Sequence, residues 1–236
     1  TQLHDLDDGL LKDYDDSLKT FQKEHNLTIF HLMGQHVNYK LRYRKEQAKF
    51  WASSYEEKRP ELTTAQRKML SHYDNATLYN DSIVAQIVKR FQKEDAVVIY
   101  VPDHGEECYE EDRGFICRNH SANIDWPLAH YEFEIPFWIY CSPKYIRNHR
   151  DIYRQIRKAK DKRFMTDALP HLLLYLAGIE TPTYKEEYNI LSPKYNEMRP
   201  RILKNSADYD QLRDEHLKKV EKENSKKEKS KKGDKK

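Results

Sequence analysis

The chain has 236 residues, enough for one large domain or two small ones, and its formal charge of +3 belongs to its end: residues 217–236 hold ten Lys against four acids, leaving 32 Lys and Arg against 35 Asp and Glu in residues 1–216. A slightly acidic body disfavours a nucleic-acid-binding domain. No apolar stretch approaches the ~20 residues of a membrane-spanning helix, so no transmembrane segment or signal peptide is expected, and three Cys are too few for a disulfide scaffold.

Residues 5–24 read as an amphipathic helix, with Leu6, Leu10, Tyr14, Leu18 and Phe21 on one face and Asp-rich positions on the other. Leu27-Thr28-Ile29-Phe30-His31-Leu32-Met33 is a short β-type run stopped by Gly34. Residues 37–62 are Tyr-rich, charged and irregular; Tyr39, Tyr43, Tyr55 and neighbouring cations read as an amphipathic cover over the sheet in preference to a phosphate- or glycan-facing surface. A long helix is expected over 64–93, where Ala76, Tyr79, Ile83, Ile87 and Phe91 form one stripe. Ala96-Val97-Val98-Ile99-Tyr100-Val101 is apolar on both faces and suits a central strand covered by helices. Residues 103–131 are a polar excursion without clear period, in which Cys108 and Cys117 either bridge or stay as thiols. Ile135-Pro136-Phe137-Trp138-Ile139-Tyr140-Cys141 is the third strand candidate. A helix over 166–177 has Asp167 as its N-cap, Pro170 in its first turn and Gly178 at its end. The folded domain is expected to span 1–205, with 206–236 a charged, Lys-rich tail expected to be disordered. Strands alternating with helices indicate an α/β domain with a mostly parallel sheet, in which ligands gather at the carboxyl ends of the strands.

Two strand candidates end in metal-ligand residues. The first runs into His31-Leu32-Met33-Gly34-Gln35-His36 and the second into Asp103-His104-Gly105-Glu106. A carboxylate beside an imidazole is half of a site for a zinc-like ion, and Gly105 lets the chain turn sharply enough to aim both at one spot. Taken alone, Asp-His also reads as a polar turn, and His31 in an apolar strand as a core histidine.

These segments, with Tyr73-Asp74-Asn75-Ala76-Thr77-Leu78-Tyr79-Asn80-Asp81 between them, resemble the C-terminal catalytic domain of the phosphoethanolamine transferases. That family lies in the alkaline phosphatase and sulfatase superfamily and includes lipid A-modifying enzymes; the likeness covers about residues 2–200. It implies a three-layer α/β/α sandwich around a mostly parallel central sheet, here incomplete at its N-terminus. It also implies that Asp103 and His104 ligate a catalytic zinc, and that His36 faces a second metal or the phosphoryl group. His31 would line the same pocket. His120, fifteen residues before Ile135, would be a further catalytic and substrate-binding histidine, and Glu106 would support the loop. Gln35 stands where many relatives have Ser, Pro102 where they often have Ser or another residue, and the Pro-Thr-Tyr-type run common after the second His is missing.

The family's nucleophile is a Thr at the end of an earlier strand, with a Glu ligand from a strand before that. Nothing upstream of residue 27 supplies either, so the chain reads as the C-terminal part of a catalytic domain, with nucleophile and membrane spans outside it; an opening Thr1 in place of Met fits an excerpt. In the intact enzyme the resemblance implies that a zinc-activated Thr takes phosphoethanolamine from a phospholipid and passes it to lipid A or another glycan or lipid acceptor. This would happen on the periplasmic side of the inner membrane. The chain alone is expected to bind zinc weakly without turnover. Two other readings stay open: a sulfatase- or phosphodiesterase-like hydrolase, told apart by its nucleophile, and a catalytically incomplete domain that binds a partner or an anionic ligand.

Overall fold

The computed structural model describes residues 4–19, 25–119 and 123–233. The chain forms two compact units, Thr1–Ala96 and Val97–Lys236.

In the first unit the opening helix is α1 (Asp8–Ser17), shorter than the 5–24 expected, with residues 20–24 outside the described set. The helix expected over 64–93 is α2 (Thr64–Phe91). It starts at a capping box in which the Gln66 amide donates to the Thr63 hydroxyl and Gln66 Oε1 accepts the Thr63 amide. Its stripe is buried at Ala76, Tyr79, Ile83 and Ile87. Tyr14 on α1 packs on Phe30 and on Phe91 at centroid separations of 5.2 and 5.6 Å.

The β-type run over 27–33 is not a strand: it pairs with no ladder among the described residues, and Leu27 and Ile29 are exposed. Its composition suits a strand, but a strand exists only against a neighbour, and here Phe30 is drawn into the aromatic cluster instead. Residues 37–62 cover α2 rather than a sheet. Their 3₁₀ turns Tyr39–Leu41 and Ala52–Tyr55 pack on it, Tyr39 meets Tyr73 edge-on, and the Tyr43 hydroxyl lies 2.8 Å from His72 Nδ1. Buried Asn75 accepts the amides of Lys49 and Phe50 and donates to the carbonyls of Phe50 and Ser71, which satisfies its whole amide.

The second unit runs through β1 (Val97–Tyr100), β2 (Glu107–Cys108), β3 (Ile116–Cys117), α3 (Trp126–Phe133), β4 (Trp138–Cys141), α4 (Pro143–Asn148), α5 (Arg150–Ala159), α6 (Leu169–Leu176), β5 (Ile202–Leu203), β6 (Ala207–Asp208) and α7 (Tyr209–Gly233). Among the described residues the mostly parallel sheet is not seen: β1–β4, β2–β3 and β5–β6 are three antiparallel pairs. A parallel partner needs a crossover that returns the chain to the end where β1 began. Here the chain folds back through the β2–β3 hairpin and α3, and enters β4 opposite the end of β1, with Trp138 beside Tyr100.

Leu172, Ile190, Leu191 and Ala159 form the buried centre, flanked by Ile99 and Ile139 of the β1–β4 pair and by Ile152 and Ile156 of α5. Fully burying such aliphatic side chains is worth about 1.5–3 kcal/mol each. The helix expected over 166–177 is the 3₁₀ turn Thr166–Ala168 followed by α6. Pro170 lies in its first turn, and Gly178, at φ +65°, ends it. Asp167 is not the cap: its two oxygens are taken by the Arg199 guanidinium at 2.5 and 2.6 Å, a fork-to-carboxylate match stronger than one capping bond. The charged tail is helical to Gly233 as part of α7, whose start packs through Tyr209 and Leu212 against α3. There Trp126 is stacked between His130 and His216 at 5.5 and 5.3 Å. From Glu221 to Lys226 the side chains are exposed.

Candidate metal site

β1 ends at Tyr100, and the loop that follows carries Asp103 and His104. Gly105 sets its shape. Its amide donates to the Glu132 carbonyl at 2.8 Å, and a Cβ there would lie 2.3 Å from the Tyr131 carbonyl oxygen. The close approach to α3 therefore admits glycine alone. His104 Nδ1 is 2.7 Å from the Gly105 carbonyl oxygen. A carbonyl only accepts, so Nδ1 carries the proton and Nε2 presents its lone pair. That Nε2 lies 3.5 Å from Asp103 Oδ2, and the carboxylate is 86 % exposed. The Asp103 Oδ1 atom accepts the His104 amide at 3.1 Å. An exposed carboxylate oxygen and a half-buried imidazole nitrogen thus lie side by side, with the far ring nitrogen held by a backbone acceptor as in metal-ligating histidines.

The segment that follows this loop carries an ion-pair network. Fully buried Glu107 on β2 receives two bonds from Arg113, at 2.5 and 3.1 Å, and Arg113 also reaches Asp125 at 3.0 Å. Asp125 in turn caps α3 by accepting the Leu128 amide. The bonds to Glu107 push the Arg113 guanidinium above its ordinary value. Buried Glu132 on α3 accepts the Asn119 amide at 2.6 Å. This network escaped the sequence reading, because one buried Glu in an acid-rich loop carries no periodic signal.

His31 and His36 belong to the first unit, and both are exposed, so His31 is not a core histidine. Their loop is held by Asp7, nearly buried, whose two oxygens accept the amides of Met33 and Gly34 at 3.0 and 2.9 Å. Among the acids of the opening segment nothing in the sequence marks Asp7 as the one turned inward. His36 Nδ1 is 2.6 Å from the Val37 carbonyl oxygen, which again leaves Nε2 outward. Gln35, at the variant position, reaches Thr77 Oγ1 on α2 at 3.3 Å. His120 lies outside the described residues.

The structure thus brings Asp103 and His104 together, and among the described residues no three His, Cys, Asp or Glu side chains converge. The spacing of the pair fits one edge of a tetrahedral zinc site, of which it would be two of the ligands. Cys108, Cys117 and Cys141 are free thiols. In the β2–β3 register Cys108 opposes Ile116 and Cys117 opposes Glu107, which sets the first two cysteines on opposite faces of the hairpin.

The profile of the family described as Sulfatase matches residues 2–179. The chain is 32 % identical over 196 residues to phosphoethanolamine transferase EptC of Escherichia coli O18:K1:H7, covering 82 % of this chain and 32 % of that protein. It is 30 % identical over 162 residues to the Kdo(2)-lipid A phosphoethanolamine 7''-transferase of E. coli K12, covering 67 % and 27 %. Among solved structures, the C-terminal periplasmic domain of E. coli EptC in complex with Zn superposes with a TM-score of 0.72 at 29 % identity, over 90 % of this chain and 59 % of that one. The chain spans about a third of the length of the curated relatives it matches.

Proposed function

The chain belongs to the sulfatase family, and from that premise we propose that it is the C-terminal part of the catalytic domain of a phosphoethanolamine transferase. The intact protein would move phosphoethanolamine from a phospholipid to lipid A or another glycan or lipid acceptor, on the periplasmic side of the inner membrane. The observation that carries the reading is the Asp103–His104 pair, brought together after β1 on a loop shaped by Gly105 and α3. Similarity to transferases of this kind and to a zinc-complexed periplasmic domain supports it. No helix among the described residues is long and apolar enough to cross a membrane.

Asp103 and His104 would hold zinc, and zinc bound there would supply Lewis-acid stabilisation of phosphoryl oxygens and of a hydroxyl nucleophile. The nucleophile, read as a Thr that becomes phosphorylated, would come from a segment outside this chain. Within the chain, the Gly105 carbonyl keeps the His104 proton on Nδ1 and so keeps Nε2 basic toward the metal. His36, its own Nδ1 engaged by Val37, presents Nε2 as an acceptor for a proton or, when protonated, as a donor to a phosphoryl oxygen. His31 and His120 are proposed as further substrate-binding histidines of the intact enzyme.

The test is replacement of Asp103 or His104 by Ala in the complete protein, with zinc content and phosphoethanolamine transfer both measured. Loss of both is the expected result. Transfer undiminished in either variant would overturn the reading, and release of the headgroup to water rather than to an acceptor would mark a hydrolase instead.

A further inference from the structure

The second unit separates its charge. Residues 97–143, which carry the Asp103–His104 loop, hold two Arg against nine acids, whereas residues 144–163 hold nine Lys and Arg against two Asp. These cations lie on α4, α5 and the turn after it. On α5 the spacing of Arg150, Arg154 and Arg157 confines them to an arc of about 60°, with Lys158 beside it. All four are exposed. The opposite face holds Ile152, Ile156 and Ala159, which pack into the core around Leu172. The helix therefore holds its cations in a fixed row.

A merely solvated helix intersperses both signs at three- and four-residue spacing. Here Asp151 meets Arg154 at 3.3 Å, and among the described residues no carboxylate pairs with Arg150, Arg157 or Lys158. Three of the four cations are guanidinium forks, the donor geometry that matches phosphate oxygens. From the reading that this domain works on phosphate-bearing lipids, and from charge complementarity, we propose that the outer face of α5 docks on a bilayer surface carrying anionic phosphate head groups. A single convex row beside an acidic body suits a plane of phosphates better than a nucleic acid, which a basic groove with aromatic stacking platforms would track.

The experiment is co-sedimentation of the chain with phosphatidylglycerol–phosphatidylcholine vesicles and with pure phosphatidylcholine vesicles, at low and high salt. Each cation near an anionic surface is worth about fivefold in binding. The variant Arg150→Gln, Arg154→Gln, Arg157→Gln, Lys158→Gln is therefore expected to bind the anionic vesicles more than tenfold more weakly. The variant Lys218→Gln, Lys219→Gln, Lys222→Gln, Lys226→Gln removes the same charge from α7 and is expected to lose clearly less, because its lysines have no core-anchored face to hold them in a row. Circular dichroism confirms that both are folded. Equal losses would reduce the effect to net charge and overturn the proposal, as would equal binding to neutral vesicles or tighter binding to a single-stranded oligonucleotide. Zinc and group transfer are not read in this assay, so its failure and that of the transferase reading are separate outcomes.

Discussion

Gly105 shows how a single missing side chain can position a candidate site. The space its Cβ would occupy is filled by the Tyr131 carbonyl, a backbone atom that cannot swing aside. Replacing Gly105 by Ala is expected to destabilise the chain by about 1–3 kcal/mol, the range for overpacking, and to weaken zinc binding because the loop carrying Asp103 and His104 must shift. Urea unfolding and a zinc titration read the two effects, and a variant that behaves like the parent in both would show that the contact does not set the loop. The cysteines offer a second check. Burial pushes the Cys141 thiol up, so little thiolate is present near neutrality. Alkylation of the native chain without reductant is expected to label half-buried Cys117 first and Cys141 slowly, and alkylation after denaturation to label all three. Only one label on the unreduced, denatured chain would mean that Cys108 and Cys117 are bridged after all.

At the scale of elements, α7 is fastened at its start and exposed along its end. Asp210 in its first turn is bound by Arg201 at 2.6 Å and by Arg163. The Arg201 guanidinium beside it, with Arg163 and Arg213 adding to the field, holds its carboxyl below the usual carboxylate range. Because the folded value lies below the unfolded value of about 3.9, the cluster contributes its full stability above that pH and loses it as pH falls through the folded value. Asp210→Asn should therefore lower stability by about 1–3 kcal/mol near neutral pH, with the gap to the parent closing in acid. Chemical denaturation across a pH series measures it, and a gap constant down to about pH 2 would refute the linkage. Element by element, legibility followed length. Twenty-eight residues of α2 repeat their stripe often enough to be read, whereas α3, with eight, and the two-residue strands of the β2–β3 hairpin are too short to show a period. α5 was hidden differently, since its apolar face rests on few side chains set among cations.

For the whole molecule, the loop of His31 and His36 and the Asp103–His104 pair were legible because each is a run of residues. What holds them was not, because Asp7 with the Met33 and Gly34 amides, and the Gly105 amide with the Glu132 carbonyl, are meetings between groups far apart in the sequence that no local pattern encodes. The overall charge misled in the same way, since summing it concealed the opposed blocks at 97–143 and 144–163. One of those meetings also makes the loop conditional on a neighbouring helix. The Gly105 amide and the space over its Cα are closed by Glu132 and Tyr131 of α3, so the loop has no template for its turn until α3 is wound and docked. A chain in which α3 is unwound lacks the surface against which that turn is shaped, so the proposed half-site would be lost locally, with the helix that supports it.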